Sequence, residues 1–273
     1  MTPRLPLALL LAGLLAGCSQ PLKHLSEEAR VASRDIRVLP TTPFPLQTVL
    51  PRRVEGEPLR VYLEGDGYAW ATPSQPSLDP TPRDLLVARL ATLDPQGAVY
   101  LARPCQFVSH ADCAPLIWTD QRFSRPVVDS LHAGLDQLKQ HYGVRRLELV
   151  GYSGGGTLAL LLAAERDDVS LVQTLAGNLH PNVWIAHHRL SPLTGSLDPL
   201  SYRKRLRQIP QRHLTGQRDK VIPPLLTRQY AASLGAAGCL EIHAVDATHS
   251  EGWETAWARF RQRPLACTPA QNP

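Results

Sequence analysis

Short apolar runs alternate along this chain with longer stretches whose apolar residues recur every three or four positions. The runs Ala98–Ala102, Arg146–Val150, Val169–Ala176, Gln211–Thr215 and Leu240–Val245 have strand length. Between them, Thr81–Leu93 carries Leu85, Leu86, Ala88, Leu90 and Leu93 at helical spacing. Pro126–Tyr142 does the same with Val127, Val128, Leu131, Leu135 and Leu138, and Gly143 supplies a stop. Gly154–Arg166, Pro224–Leu234 and Glu251–Gln262 complete the predicted helices. Upstream, Gln47–Arg52 and Leu59–Leu63 flank a turn-rich segment and predict a hairpin. Repeated strand–helix alternation predicts an α/β domain with a mostly parallel, doubly wound sheet and helices on both faces.

The pattern breaks at the N-terminus. Arg4 precedes an apolar run, Leu5–Ala16, that is too short to span a bilayer, which takes about 20 residues. It has the form of a secretory leader. Leu15-Ala16-Gly17-Cys18 resembles a bacterial lipobox, in which the cysteine becomes the lipidated first residue. That resemblance divides the chain into a leader (1–17), a tether and N-terminal extension (18–43) and a domain (44–273). It implies a membrane partner through Cys18 and a cell-envelope location. Ser19 in place of Asp directs the expectation to the outer membrane, facing the periplasm.

Composition changes the picture little. The chain is 43% hydrophobic and 19% charged, ordinary for a folded domain, and about 250 residues follow the leader. A net charge of +5 does not call for nucleic acid, and the run Arg203–Arg207 reads as a solvated helix face. Setting Cys18 aside leaves Cys105, Cys113, Cys239 and Cys267, an even set suited to an oxidising compartment. Four cysteines allow three pairings. Nearness along the chain favours Cys105 with Cys113 and Cys239 with Cys267. No C-x-x-C spacing points to zinc or a redox dithiol.

The chemistry centres on Val150-Gly151-Tyr152-Ser153-Gly154-Gly155-Gly156, a G-x-S-x-G set between a predicted strand and a predicted helix. A serine on such a turn is exposed, and the helix N-terminus behind it presents amides to a developing oxyanion. Here the chain resembles the α/β-hydrolase superfamily, over roughly 47–262. The resemblance implies a triad in the order Ser, acid, His. Asp219 lies in Gly216-Gln217-Arg218-Asp219-Lys220-Val221-Ile222-Pro223, which looks like the superfamily's acid loop. Asp198 and Asp246 are the alternatives. His249 follows the last predicted strand, where the superfamily's histidine resides. For the oxyanion hole, Glu64-Gly65-Asp66-Gly67 stands where the superfamily's lipase-type loop has H-G-G-G. Gly65 or Asp66, with Gly154, are the expected amide donors.

The segment 177–202, with Asn178, His180, Trp184, His187 and His188, occupies the place of a small cap. A second irregular stretch, 103–123, holds Trp118 and the Cys105–Cys113 pair. The whole implies a serine hydrolase of esterase or lipase type acting on a small-molecule acyl substrate, with no cofactor and no metal. An acyltransferase or a peptidase would use the same acyl-enzyme. A catalytically inert binding lipoprotein is the alternative from another class. Substrate identity and oligomeric state are not encoded in these motifs.

Overall fold

The structure, a computed structural model, describes residues 20–267. The leader and Cys18 lie outside the described residues. The elements, in chain order, begin with α1 (Gln20–Val31), β1 (Asp35–Leu39), β2 (Leu46–Leu50) and β3 (Leu59–Leu63). A small hairpin, β4 (Trp70–Thr72) and β5 (Gln75–Pro76), precedes α2 (Leu86–Thr92) and β6 (Val99–Leu101). Then come α3 (Pro115–Trp118), α4 (Arg125–Tyr142), β7 (Leu147–Tyr152), α5 (Gly154–Glu165) and β8 (Val169–Leu175). The chain continues with α6 (Pro181–His188), a 3-10 turn (Pro199–Tyr202), α7 (Arg203–Leu206), β9 (Gln211–Gly216) and α8 (Pro224–Leu234). It closes with β10 (Leu240–Val245) and α9 (Trp253–Phe260).

Eight strands form one sheet in the order β1-β2-β6-β3-β7-β8-β9-β10. The six from β6 to β10 pair in parallel, and β1 and β2 are antiparallel at one edge. Successive residues of a strand face opposite sides, so each central strand feeds two cores. Leu59, Val61 and Leu63 pack with Leu147, Leu149 and the inner sides of α4 and α5. Tyr62, Tyr100 and Val150 face the other way, onto α1, α2 and α9. Because both faces are covered, β2 and β3 are buried at every position, and their polar members Gln47, Thr48 and Arg60 are buried with them. Helix α5 is buried all round from Gly154 to Ala163, which explains why its sequence lacks a polar face. Among the described residues no helix is long and apolar enough to cross a membrane.

Three expectations need correction. The hairpin of the first two strands does not form: β6 lies between β2 and β3. Val99, Tyr100 and Leu101 are wholly buried, so this strand needs a neighbour on each side, and the eight-residue link Pro51–Pro58 is long enough to pass over it. The helix expected from Thr81 starts only at Leu86. Pro80 and Pro82 push the residues before them out of the helical region, and Thr81 instead accepts the Phe107 N–H on its hydroxyl at 2.8 Å. Residues 20–39, expected as tether and extension, are part of the folded body. Leu25 and Ala29, four apart on α1, are buried against the α2 layer, and β1 is the edge strand.

Candidate active site

Ser153 follows β7, the loop 64–67 follows β3, Asn178 follows β8, Asp219 follows β9 and His249 follows β10. All sit outside the carboxyl ends of parallel strands, where side chains from separated parts of the chain converge.

At the turn into α5, Ser153 has φ 51° and ψ −123°. A non-glycine residue there costs about 1–3 kcal/mol and persists because its surroundings hold it. The Ser153 N–H donates to Leu175 O at 3.1 Å, and its carbonyl accepts from Gly156 and Asn178 at 3.0 and 2.9 Å. Gly151 and Gly155 are obligatory for close approach: a Cβ on the first would collide with the Gly155 carbonyl, and one on the second with the Leu63 carbonyl.

Ser153 Oγ lies 3.1 Å from His249 Nε2, and His249 Nδ1 lies 2.9 Å from Asp219 Oδ2. The Asp219 side chain is fully buried, and its Oδ1 accepts the Val221 and Ile222 N–H groups, each at 2.8 Å. With one oxygen occupied by two amides, the other is left to accept a hydrogen bond from Nδ1–H, which keeps the ring proton on Nδ1 and leaves Nε2 to accept from the serine. The His249 carbonyl accepts from Tyr152 Oη at 2.7 Å and from Trp253 Nε1 at 2.8 Å, fixing the loop that carries the ring. Burial pushes the Tyr152 phenol up, so it remains a donor. Asp198 and Asp246, the other acids considered, stand elsewhere. Asp198 accepts from Leu200 N and Asn182 Nδ2, and exposed Asp246 pairs with Arg218 at 2.7 Å.

The loop after β3 corrects one expected donor. The Gly65 N–H donates to its neighbour's carboxylate, Glu64 Oε1, at 2.8 Å and is not free. Asp66 N–H and Gly154 N–H have no hydrogen-bond partner among the described residues, and both residues line the cavity beside Ser153. The cause is Glu64, a buried carboxyl that must find donors. It takes Gly65 N–H and, at 2.8 Å, Tyr100 Oη. Burial raises Glu64 to about 7 against its ordinary 4.5, these two donors opposing the shift only in part. Folding therefore weakens as pH rises: below about 4.5 both folded and unfolded chains hold the proton, and above about 7 neither does. Between those limits the raised pKa removes about 3 kcal/mol of stability. Glu64→Gln is expected to abolish that slope in urea unfolding at pH 5 and pH 8. Equal losses in the wild type and the variant would refute it.

The cavity over Ser153 has a volume of about 970 Å³. Its lining includes Tyr68, Trp70, Leu86, Trp184, Leu193 and Ile222. The cap-like segment contains α6, which is pinned to the acid loop: Trp184 Nε1 donates to Val221 O at 2.9 Å, and His188 Nε2 lies 2.8 Å from the same oxygen. Of the polar residues singled out in that segment, Asn178 and Trp184 line the cavity, while His180, His187 and His188 do not. Trp118 packs with Phe44, Ala69 and Cys105 rather than facing the cavity. Both disulfides are present, Cys105–Cys113 and Cys239–Cys267, with Cα–Cα distances of 5.7 and 5.4 Å. Among the described residues no group of three or more His, Cys, Asp or Glu is placed to hold a metal ion.

No family model and no curated protein matches the chain. Solved structures do. The esterase Pf2001 from Pyrococcus furiosus is 13% identical, with a TM-score of 0.61 over 86% of this chain and 91% of its own. Est1E from Butyrivibrio proteoclasticus is 14% identical, with a TM-score of 0.57 over 82% and 94%. An α/β serine hydrolase without a lid, from Xanthomonas campestris, is 16% identical, with a TM-score of 0.52 over 86% and 97%. This chain has the α/β-hydrolase fold.

Within that α/β-hydrolase framework, several site residues were not foreseen. Tyr152 lies inside the G-x-S-x-G itself, but nothing in the motif says that its phenol reaches the histidine loop. Arg103 and Arg122 come from the irregular stretch 103–123 and meet at the Asp66 carboxylate. Burial would raise Asp66, but the two guanidinium groups outweigh it and hold the carboxyl below its usual range. The available signal was an acidic residue between two glycines directly after a buried strand, a position where an ionised group has to be paired.

Proposed function

We propose that this chain is a serine hydrolase that cleaves esters of apolar acyl groups through an acyl-enzyme on Ser153. The observation that carries the reading is the continuous hydrogen-bonded line from Ser153 Oγ to His249 to buried Asp219, at 3.1 and 2.9 Å, on a strained turn. The His249 Nε2 takes the hydroxyl proton as Oγ attacks the carbonyl carbon. Asp219 holds the ring in the required tautomer and stabilises the imidazolium. The Asp66 and Gly154 amides, unpaired beside Ser153, stabilise the oxyanion. Collapse of the tetrahedral intermediate breaks the ester C–O bond, and the proton on Nε2 passes to the departing alcohol. Water then repeats the sequence on the acyl-serine, releasing the acid and restoring Oγ–H. The aromatic and aliphatic walls of the cavity favour an apolar acyl or alcohol group.

The same proposal places the enzyme at the bacterial envelope, anchored through Cys18 and facing the periplasm. Its support is the lipobox resemblance together with two disulfides, which suit an oxidising compartment. One labelling experiment tests both parts. Cells expressing the full chain are treated with a fluorophosphonate probe and fractionated. The wild type is expected to label on the Ser153 peptide in the membrane fraction. Ser153→Ala is expected not to label, and Cys18→Ser to label in the soluble fraction. A folded wild type that does not label overturns the hydrolase reading, and a Cys18→Ser protein that stays with the membrane overturns the anchor.

A further inference from the structure

The loop that carries the Asp66 amide is held by side chains that play no part in the triad. Gln106 Nε2 donates to Gly65 O at 3.1 Å, and Gln106 Oε1 accepts the Arg103 N–H at 3.0 Å. From the same turn, the Arg103 guanidinium donates to Asp66 Oδ1 and to the Arg122 carbonyl. Arg122 Nη1 completes the clamp on Asp66 Oδ2 at 2.7 Å. The side chains of Arg103 and Arg122 are only 5% and 6% exposed. The clamped carboxylate lies over the Cα of Gly154, where any Cβ would collide with Oδ1. One ion cluster thus touches both residues whose amides are unpaired beside Ser153.

Two buried guanidinium groups share one hydrogen-bonded carboxylate, an arrangement that contributes little stability for its desolvation cost. What it supplies is direction, since each Asp66 oxygen is held by a different guanidinium group. The turn that presents Arg103 and Gln106 is itself constrained. Cys105 and Phe107 have φ of 68° and 61°, a region non-glycine residues occupy only when their surroundings over-determine it. The Cys105–Cys113 disulfide ties the chain at this turn.

We propose that Arg103, Gln106 and Arg122 are positioning residues that aim the Asp66 amide at the oxyanion, and that the Cys105–Cys113 disulfide keeps them in place. The inference rests on the serine-hydrolase reading above. A hydrogen bond weakens steeply as its angle departs from linear, so a small rotation of the 65–66 peptide removes one of two donors. Loss of one such donor lowers kcat by about 10²–10³-fold, and misdirection is expected to lower it by about 10–10²-fold.

The test is steady-state hydrolysis of p-nitrophenyl acetate by the protein from residue 19 onward. Inhibition by a trifluoromethyl ketone, which forms an oxyanion adduct on the serine, is measured beside it. Fluorophosphonate titration counts active sites. Arg103→Met leaves Asp66 paired with Arg122, so charge balance is kept. It is expected to lower kcat about 10–10²-fold with KM within about twofold, and to weaken ketone binding by the same factor. Arg103→Lys should recover part of both losses. Replacing Cys105 and Cys113 together by Ala should reproduce the loss, whereas replacing Cys239 and Cys267 together by Ala should not. Gln106→Ala gives a second route to the loop should Arg103→Met fold poorly. Unchanged kcat in an active series overturns the inference and leaves the hydrolase reading standing. So does a fall in kcat matched by an equal fall in titratable sites, which marks a structural effect only. A wild type that neither hydrolyses the ester nor labels at Ser153 overturns both.

Discussion

Ser153→Ala and His249→Ala are each expected to lower kcat/KM by about 10⁴-fold or more, and the double variant to lower it no further. The serine hydroxyl is a poor nucleophile until its proton has somewhere to go, and the base on it among the described residues is His249 Nε2. Removing either partner ends the same step, so their effects do not add. Asp219→Asn distinguishes orientation from charge. Two backbone amides, Val221 and Ile222, donate to Asp219 Oδ1, so an asparagine there must keep its carbonyl oxygen towards them. Its NH2 group then faces His249 Nδ1, which becomes an acceptor and moves the ring proton to Nε2. That tautomer cannot accept from Ser153, and a loss on the order of 10⁴-fold in kcat follows, as for the same exchange in serine proteases. Asp198→Asn and Asp246→Asn, whose carboxylates contact no part of the site, serve as controls and should leave the rate unchanged. An Asp219→Asn protein with more than a tenth of wild-type kcat would refute the tautomer argument.

The sequence made the framework legible where local pattern and topology agree. The G-x-S-x-G could be placed on a strand-to-helix turn because Leu147, Leu149 and Val150 precede it at strand length and Leu158–Ala163 is apolar after it. The same chain order positioned Asp219 and His249 after later strands, and the structure brings both to Ser153. What stayed hidden depends on distant partners. Strand β6 inserts between β2 and β3 although all three are equally buried, so pattern alone does not give their order. Helix α1 carries only Leu25 and Ala29 into the core, too few apolar residues among Lys, Glu and Arg to separate it from a tether. Gly65 was an equal candidate to Asp66 for the oxyanion because glycine permits close approach. Only the placement of the Glu64 carboxyl, buried by strands far off in sequence, shows that the Gly65 amide is already engaged. Charged groups drawn together beside the site, Asp66 with Arg103 and Arg122, leave no periodic trace.

Arg60→Met is expected to destabilise the fold by about 3–5 kcal/mol, a large part of the roughly 5–15 kcal/mol that holds a domain together. Arg60 stands on β3, buried between two carboxylates. Its Nε and Nη2 bond both oxygens of Glu148 at 2.8 and 3.1 Å, and its Nη1 bonds Asp94 Oδ2 at 2.7 Å. Nη2 also donates to the Arg261 carbonyl at 2.7 Å, tying the end of α9 to the sheet. Methionine retains the bulk of the stem but leaves two buried anions without a cation. The penalty comes from those abandoned charges more than from lost contacts, so removing one of them should return stability. Arg60→Met combined with Glu148→Leu is therefore expected to be more stable than Arg60→Met alone. Asp94 keeps the Tyr62 hydroxyl at 2.6 Å and the Gln96 N–H at 3.1 Å, so the remaining carboxylate is still solvated by donors. Urea unfolding of the two variants and the wild type measures the coupling directly. A double variant less stable than Arg60→Met would show that the pair contributes net stability, and that the loss in the single variant is not the cost of unpaired charge.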